Sequence, residues 1–279
     1  MTKEGKKRRS SAASASMDEL QQSLMEIENE PAKEQRMSKV TKVPAVFEGL
    51  EFHTAGKKGQ SRAVMQALTS VILEKGGDTI PVSYFALLLN SLPSTSDKDE
   101  LDVMLYLLRL LLPEISASVL STKFNDISET FQTILNKHYE ASLLVVNTLK
   151  CIELVMQKVA PVITVKSWKK QAKLLSLFHG LLALSIDPRA KVRKEAQSIV
   201  HVMYAHEGGS STGVNSGKIV GKFFVSQLTS QGPAEAKKKT TSYLFTLLTA
   251  IGFNIPLNIL TSMFEAIFTQ MKQNANFVR

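Results

Sequence analysis

"SIDPRAKVRKEAQSIV" spans residues 185–200 and decides how the chain is read. Four cations, Arg189, Lys191, Arg193 and Lys194, crowd its middle. The text on either side, "LLALS" and "IVHVMY", is apolar at helical spacing. The stretch therefore divides into a helix end, a tight turn and a new helix. Asp187 is placed to cap the second helix, its carboxylate accepting backbone N–H groups that a helix start leaves without partners. Pro188 reads as the first helical residue, where its missing N–H costs little. Val192, Ala196, Ile199 and Met203 follow at i, i+4, i+7 and i+11, on one buried stripe.

The same pattern runs outward from this joint. "QSRAVMQALTSVILEKGG" places Val64, Leu68, Val71 and Ile72 at helical spacing, and Gly76–Gly77 stop it. "IPVSYFALLLNSL" is a second helix. "STSDKDELDVMLYLLRLLLPEI" is a third, with Ser96 as its expected N-cap and Asp99 three residues later. Further helices read at about 117–136, 139–159, 166–185, 188–206, 216–230, 234–252 and 256–273. Short links join them, except "HEGGSSTGVNSG" at 206–217, which reads as a flexible loop. Antiparallel pairs with a period of roughly 40 residues match HEAT and armadillo arrays better than a compact bundle. The expected fold is all-α, a right-handed α-solenoid of antiparallel helix pairs over residues 59–279. The Asp187, Val192, Arg193, Ala196 spacing is similar to the second helix of a HEAT repeat, where the arginine packs between neighbouring repeats. That similarity gives Asp187, Pro188, Val192 and Arg193 a structural part in the joint and leaves Arg189, Lys191 and Lys194 free for solvent.

Composition agrees with a folded helical chain. Of 279 residues, 44% are apolar and 21% charged, with only 14 glycines and 9 prolines. The lone cysteine, Cys151, excludes a disulfide framework and reads as a small core residue. No uninterrupted apolar run approaches the roughly 18 residues that a membrane span needs. The net charge of +9 is concentrated in two places. Residues 1–9 carry five cations against Glu4, and residues 166–195 carry eight against Asp187 and Glu195. Residues 1–58 read as a disordered basic N-terminal arm. Its "KKRR", Lys6, Lys7, Arg8 and Arg9, is the expected nuclear-localisation signal.

Chemistry is hard to find. "TGVNSGKI" lacks the first glycine and the final Ser/Thr of a phosphate-binding loop, with Thr212 and Ile219 in their places. His53, His138, His179, His201 and His206 have no Cys or carboxylate cluster at metal-ligand spacing. No catalytic residue, metal or cofactor is expected. The helix "VKSWKKQAKLLSLFHGLLALS" is partitioned instead. Lys166, Lys169, Lys170 and Lys173 fall on one face, and Trp168, Leu175, Phe178 and Leu182 on the other. Such a face is either a solvated lysine stripe or, with Arg189, Lys191 and Lys194, a basic ridge for RNA or another polyanionic partner.

Three segments in order complete the reading: "TIPVSYFALLLNSL" (79–92), "DVMLYLLRLLLPEISASVLSTKF" (102–124) and "GLLALSIDPRAKVRKEAQ" (180–197). Together they resemble the ribosomal-RNA-processing protein twelve family from about residue 60 onward. The chain departs from that pattern at Ala190 and Glu195, where the family tends to read Pro and a third base. The resemblance implies a nucleolar and nuclear HEAT/armadillo-type scaffold that binds pre-ribosomal particle proteins and rRNA without catalysis. It also implies nuclear export factors among the partners, shuttling to the cytoplasm and no membrane, while a small GTPase is the partner expected of the competing, importin-like reading. It implies a longer solenoid, of which this chain, ending in "NANFVR" without a polar capping helix, reads as the N-terminal portion. The competing class is an importin-like transport receptor. The basic N-terminal arm favours the scaffold.

Overall fold

The structure is a computed structural model. It describes residues 45–47, 58–162, 172–205, 213–230, 234–251, 255 and 257–275. Among them are eleven α-helices and no strand. In chain order these are α1 (Lys58–Glu74), α2 (Pro81–Ser91), α3 (Lys98–Leu111), α4 (Ala117–Thr122), α5 (Phe124–Lys137), α6 (Ser142–Val159), α7 (Ala172–Leu184), α8 (Ala190–Ala205), α9 (Gly213–Thr229), α10 (Ala234–Ile251) and α11 (Leu257–Ala275). The expected arm at 1–58, with its "KKRR", lies almost wholly outside the described residues.

Helix ends show how local chemistry sets the elements. Gly76 has φ +71°, the left-handed conformation that costs glycine alone nothing, and it closes α1. Its N–H bonds to Leu73 O and that of Gly77 to Ile72 O. At α3 the N-cap is Asp97, whose carboxylate accepts the Glu100 N–H at 2.8 Å. The expected Ser96 cap is thus displaced by one residue, because both side chains suit the position and the carboxylate is the stronger acceptor. The expected 117–136 helix breaks at Lys123, which ends α4 at φ −92°, ψ 8°. Residues 213–217 of the expected loop are the first turn of α9.

Two rows of helices result. In one row α1 packs on α3, α3 on α6, α6 on α8 and α8 on α10. In the other, α2 packs on α5 and α5 on α7, and α9 lies against α11. The rows bury one continuous core between them, with Leu105, Phe131, Leu149, Phe178, Ile199 and Leu244 all below 2% exposure. This is an α-solenoid. Six of the polar bonds between repeats share one step. Asn147 donates to Asp102, Cys151 Sγ to Leu105 O at 3.4 Å and Lys158 Nζ to Ile115 O at 2.8 Å. Ser176 donates to Gln132 at 2.7 Å, Ser198 to Glu153 at 2.5 Å and Gln197 Nε2 to Tyr243 O at 3.5 Å. Each joins residues 43–46 apart. Within a row both numbers of each pair rise together, so the row helices run parallel.

The joint at 185–189 is built around a buried carboxylate. Asp187 is 3% exposed. Its Oδ1 accepts the Arg189 N–H at 2.8 Å and Arg189 Nε at 2.9 Å. Its Oδ2 accepts Arg189 Nη2 at 2.8 Å and the Tyr139 hydroxyl at 3.0 Å. Asp187 therefore closes a turn on the second residue after it and does not cap α8 from the position expected. Pro188 lies two residues before the first residue of α8, not at it. The Asp187 carbonyl accepts the Arg193 guanidinium and its carboxylate holds the Arg189 N–H, so the first turn of α8 forms beyond them. Val192, Ala196, Ile199 and Met203 form the expected buried stripe. Arg193 Nη1 donates to Asp187 O at 2.8 Å, and its guanidinium lies 3.9 Å from the Tyr243 ring centroid on α10.

Burial raises the Asp187 pKa, but the bonds from Arg189 and Tyr139 outweigh it and hold the group below the usual carboxylate value. A folded-state pKa below the unfolded one stabilises the fold above the ordinary carboxylate range, and that gain is lost as pH falls through the lowered value. Asp187→Asn is expected to cost about 2 kcal/mol near neutral pH, the scale of hydrogen bonds to a charged group. Chemical denaturation at several pH values should show this deficit shrinking below about pH 4. A second prediction concerns α9 and α11. A Cβ on Gly221 would stand 2.6 Å from Ile259 Cγ2, a methyl on a stiff β-branch. Gly221→Ala should lower the melting temperature, overpacking costing about 1–3 kcal/mol against a propensity gain of about 1 kcal/mol. Adding Ile259→Ala should restore part of the loss.

Candidate nucleic-acid interface

The joint and the row packing together shape one groove. The first turns of α6 and α8 run side by side and enclose about 720 Å³ between them. Asn147 and Lys150 enter from α6, and Lys191, Lys194 and Glu195 from α8, with Arg189 at the end. Lys191 and Lys194 are exposed and have no ion pair among the described residues. Lys150 and Glu195 approach at 4.0 Å, a loose surface pair that leaves much of the lysine charge available. The start of α6 adds to the field. Ala141 precedes it and no side chain caps it, so its first N–H groups and the positive end of its dipole face an anion arriving there.

The basic residues expected from sequence divide into separate places. Lys191 and Lys194 line this groove. The expectation that Arg189 stands free in solvent fails, because its guanidinium is locked to Asp187 and also donates to Tyr139 O at 2.6 Å. Lys173 pairs with Glu129 at 2.9 Å, on the side of α7 that meets α5. It stands at the start of α7, and the groove cations stand at the start of α8. Because the two helices are antiparallel, these starts lie at opposite edges of the solenoid, roughly 20 Å apart for helices of this length. Among the described residues, no continuous ridge joins Lys173 to Lys191. Lys166, Lys169 and Lys170 lie outside the described residues. Sequence reasoning missed Lys150. Its signal was the repeat step, since Lys150 and Glu195 are one repeat apart in number.

Among the described residues, the cysteine and the histidine that bond across the repeats serve packing. Cys151 is fully buried, and burial pushes its thiol up to about 12, against a smaller opposing pull from Arg109. It is a weak donor to Leu105 O and not a nucleophile. His201 Nδ1 is 2.7 Å from Ala250 O and joins α8 to α10. Among the described residues no three His, Cys, Asp or Glu groups gather as a metal site. No described helix is long and apolar enough to cross a membrane.

Comparison with known proteins fits this architecture. A family model described as RRP12-like, N-terminal HEAT repeats, matches residues 54–257. The RRP12-like proteins of Homo sapiens and Gallus gallus are each 31% identical over 137 residues, which is 48% of this chain and 10% of theirs. The RRP12-like protein of Drosophila melanogaster is 24% identical over 140 residues, 50% of this chain and again 10% of its own. The chain thus spans only a small part of the length of the curated relatives it matches. With its helix pairs matched over most of their length, it belongs to the RRP12-like family, within that family's N-terminal HEAT repeats.

Proposed function

We propose that the chain serves ribosome biogenesis as a non-catalytic scaffold that holds rRNA and proteins of the pre-ribosomal particle. In that role it supports pre-rRNA processing and subunit export in the nucleolus and nucleus, with export factors or a small GTPase among its partners. One observation carries the RNA part of this reading. Cations from two successive repeats, Lys150 with Lys191 and Lys194, converge on one groove beside an uncapped helix start. Such a site attracts phosphates by charge and by backbone N–H groups, and it reads no base edges.

The test is the reversal of Lys150, Lys191 and Lys194 to glutamate. Binding to a single-stranded fragment of ribosomal RNA, followed by fluorescence anisotropy at several salt concentrations, should weaken sharply. The slope of log affinity against log salt should flatten by about 0.7 for each phosphate that the variant no longer neutralises. The helical spectrum and melting should barely change, because the core stripe is untouched. Lys173→Glu, on the opposite edge, should bind close to normally. Unchanged binding by the triple variant at physiological salt would refute the reading.

A further inference from the structure

We infer that Tyr139 is a base-stacking platform, so that the groove takes single-stranded RNA one nucleotide at a time with the base on the Tyr139 ring and its phosphate among the lysines. The inference rests on the RNA reading of the groove and adds a specific recognition element to it.

Tyr139 is a large aromatic residue with 46% of its surface exposed, in the link between α5 and α6. Exposed aromatics ordinarily turn freely, and this one is held at three points. Its hydroxyl donates to Asp187 Oδ2 at 3.0 Å. Its carbonyl accepts from Arg189 Nη1 at 2.6 Å. The Arg189 guanidinium lies over its ring, 4.6 Å from the centroid. A cation therefore covers one face of a residue that is otherwise nearly half exposed. The ring is already rigid, so stacking a base on it costs little further ordering. A guanidinium beneath and a base above complete a three-layer stack of cation, phenol ring and base.

Place decides the rest. Arg189 both backs the Tyr139 ring and lines the groove, so platform and groove share a wall. Leu143, 60% exposed in the first turn of α6, adds apolar surface to the groove. Tyr139 stands three residues before α6 and Arg189 one before α8, so a strand with a base on the ring carries its neighbouring phosphates toward the groove lysines. Paired bases in an A-form duplex hide their faces in the stack and cannot use the platform. The site is accordingly selective for unpaired RNA and tolerant of its sequence, since a ring face meets every base.

The experiment compares Tyr139→Phe, which keeps the ring and loses the bond to Asp187, with Tyr139→Leu, which loses both. The probe is oligoadenylate carrying one 2-aminopurine, with an RNA duplex of equal length as control. Tyr139→Phe keeps the ring and its Arg189 backing, so it should give the same change in 2-aminopurine fluorescence, with a loss of affinity smaller than that of Tyr139→Leu because one of the holds on the ring is gone. Tyr139→Leu should lose about tenfold or more in affinity, the scale of one stacked base, and lose the fluorescence change. Duplex binding should be weak and equal in all three. If Tyr139→Leu keeps the affinity and fluorescence of Tyr139→Phe while Lys150→Glu, Lys191→Glu and Lys194→Glu together still weaken binding sharply, the platform is refuted and the groove stands. If neither set of changes affects binding, both readings fall.

Discussion

A carboxylate taken out of water must be bonded on all sides or it destabilises the fold by several kcal/mol. Asp187 is such a group, and the neighbouring structure is arranged to meet its demand. Arg189 supplies a backbone N–H and two guanidinium N–H groups, and Tyr139 supplies a hydroxyl from the preceding repeat. Arg193 takes the Asp187 carbonyl and carries the connection to Tyr243 in the following one. Three repeats are thereby fixed relative to one turn. The same bonds seat the first turn of α8 beside that of α6, which opens the groove, and they immobilise the ring on its rim.

Elsewhere the solenoid is held by smaller versions of the same arrangement. Apolar stripes supply the bulk of the cohesion, and polar bonds spaced 43–46 residues apart fix the register. Each is worth little alone, on the order of 1 kcal/mol. Their common spacing makes them a ruler, because a slip of one helical turn along a row would break them together. Stability in such an array is nearly a sum over repeats and interfaces, so a change at one joint acts mainly on its neighbours.

Much of this was legible in the sequence because much of it is local. Helical periodicity showed the helices and the stripe through Val192 and Ile199. Gly76 marked the end of α1. The capping of α3 was misplaced by one residue because Ser96 and Asp97 are both good caps and only geometry chooses between them. What local pattern does not encode is the partner one repeat away. Arg189 looks like a free cation until Tyr139 and Asp187 are set around it. Lys150 looks like an ordinary helix lysine until α8 is laid beside α6. Lys173 and Lys191 look like one patch until the antiparallel pair sends them to opposite edges.

Direct mapping of the RNA contact tests the account at its centre. Oligonucleotides bearing 4-thiouridine can be bound to the full chain, crosslinked by light and located by mass spectrometry on the peptides they modify. The account predicts adducts concentrated between Tyr139 and Lys150 and between Arg189 and Lys194, the two walls of a single groove. Adducts confined to α5 and the start of α7, around Glu129 and Lys173 on the opposite edge, would contradict it.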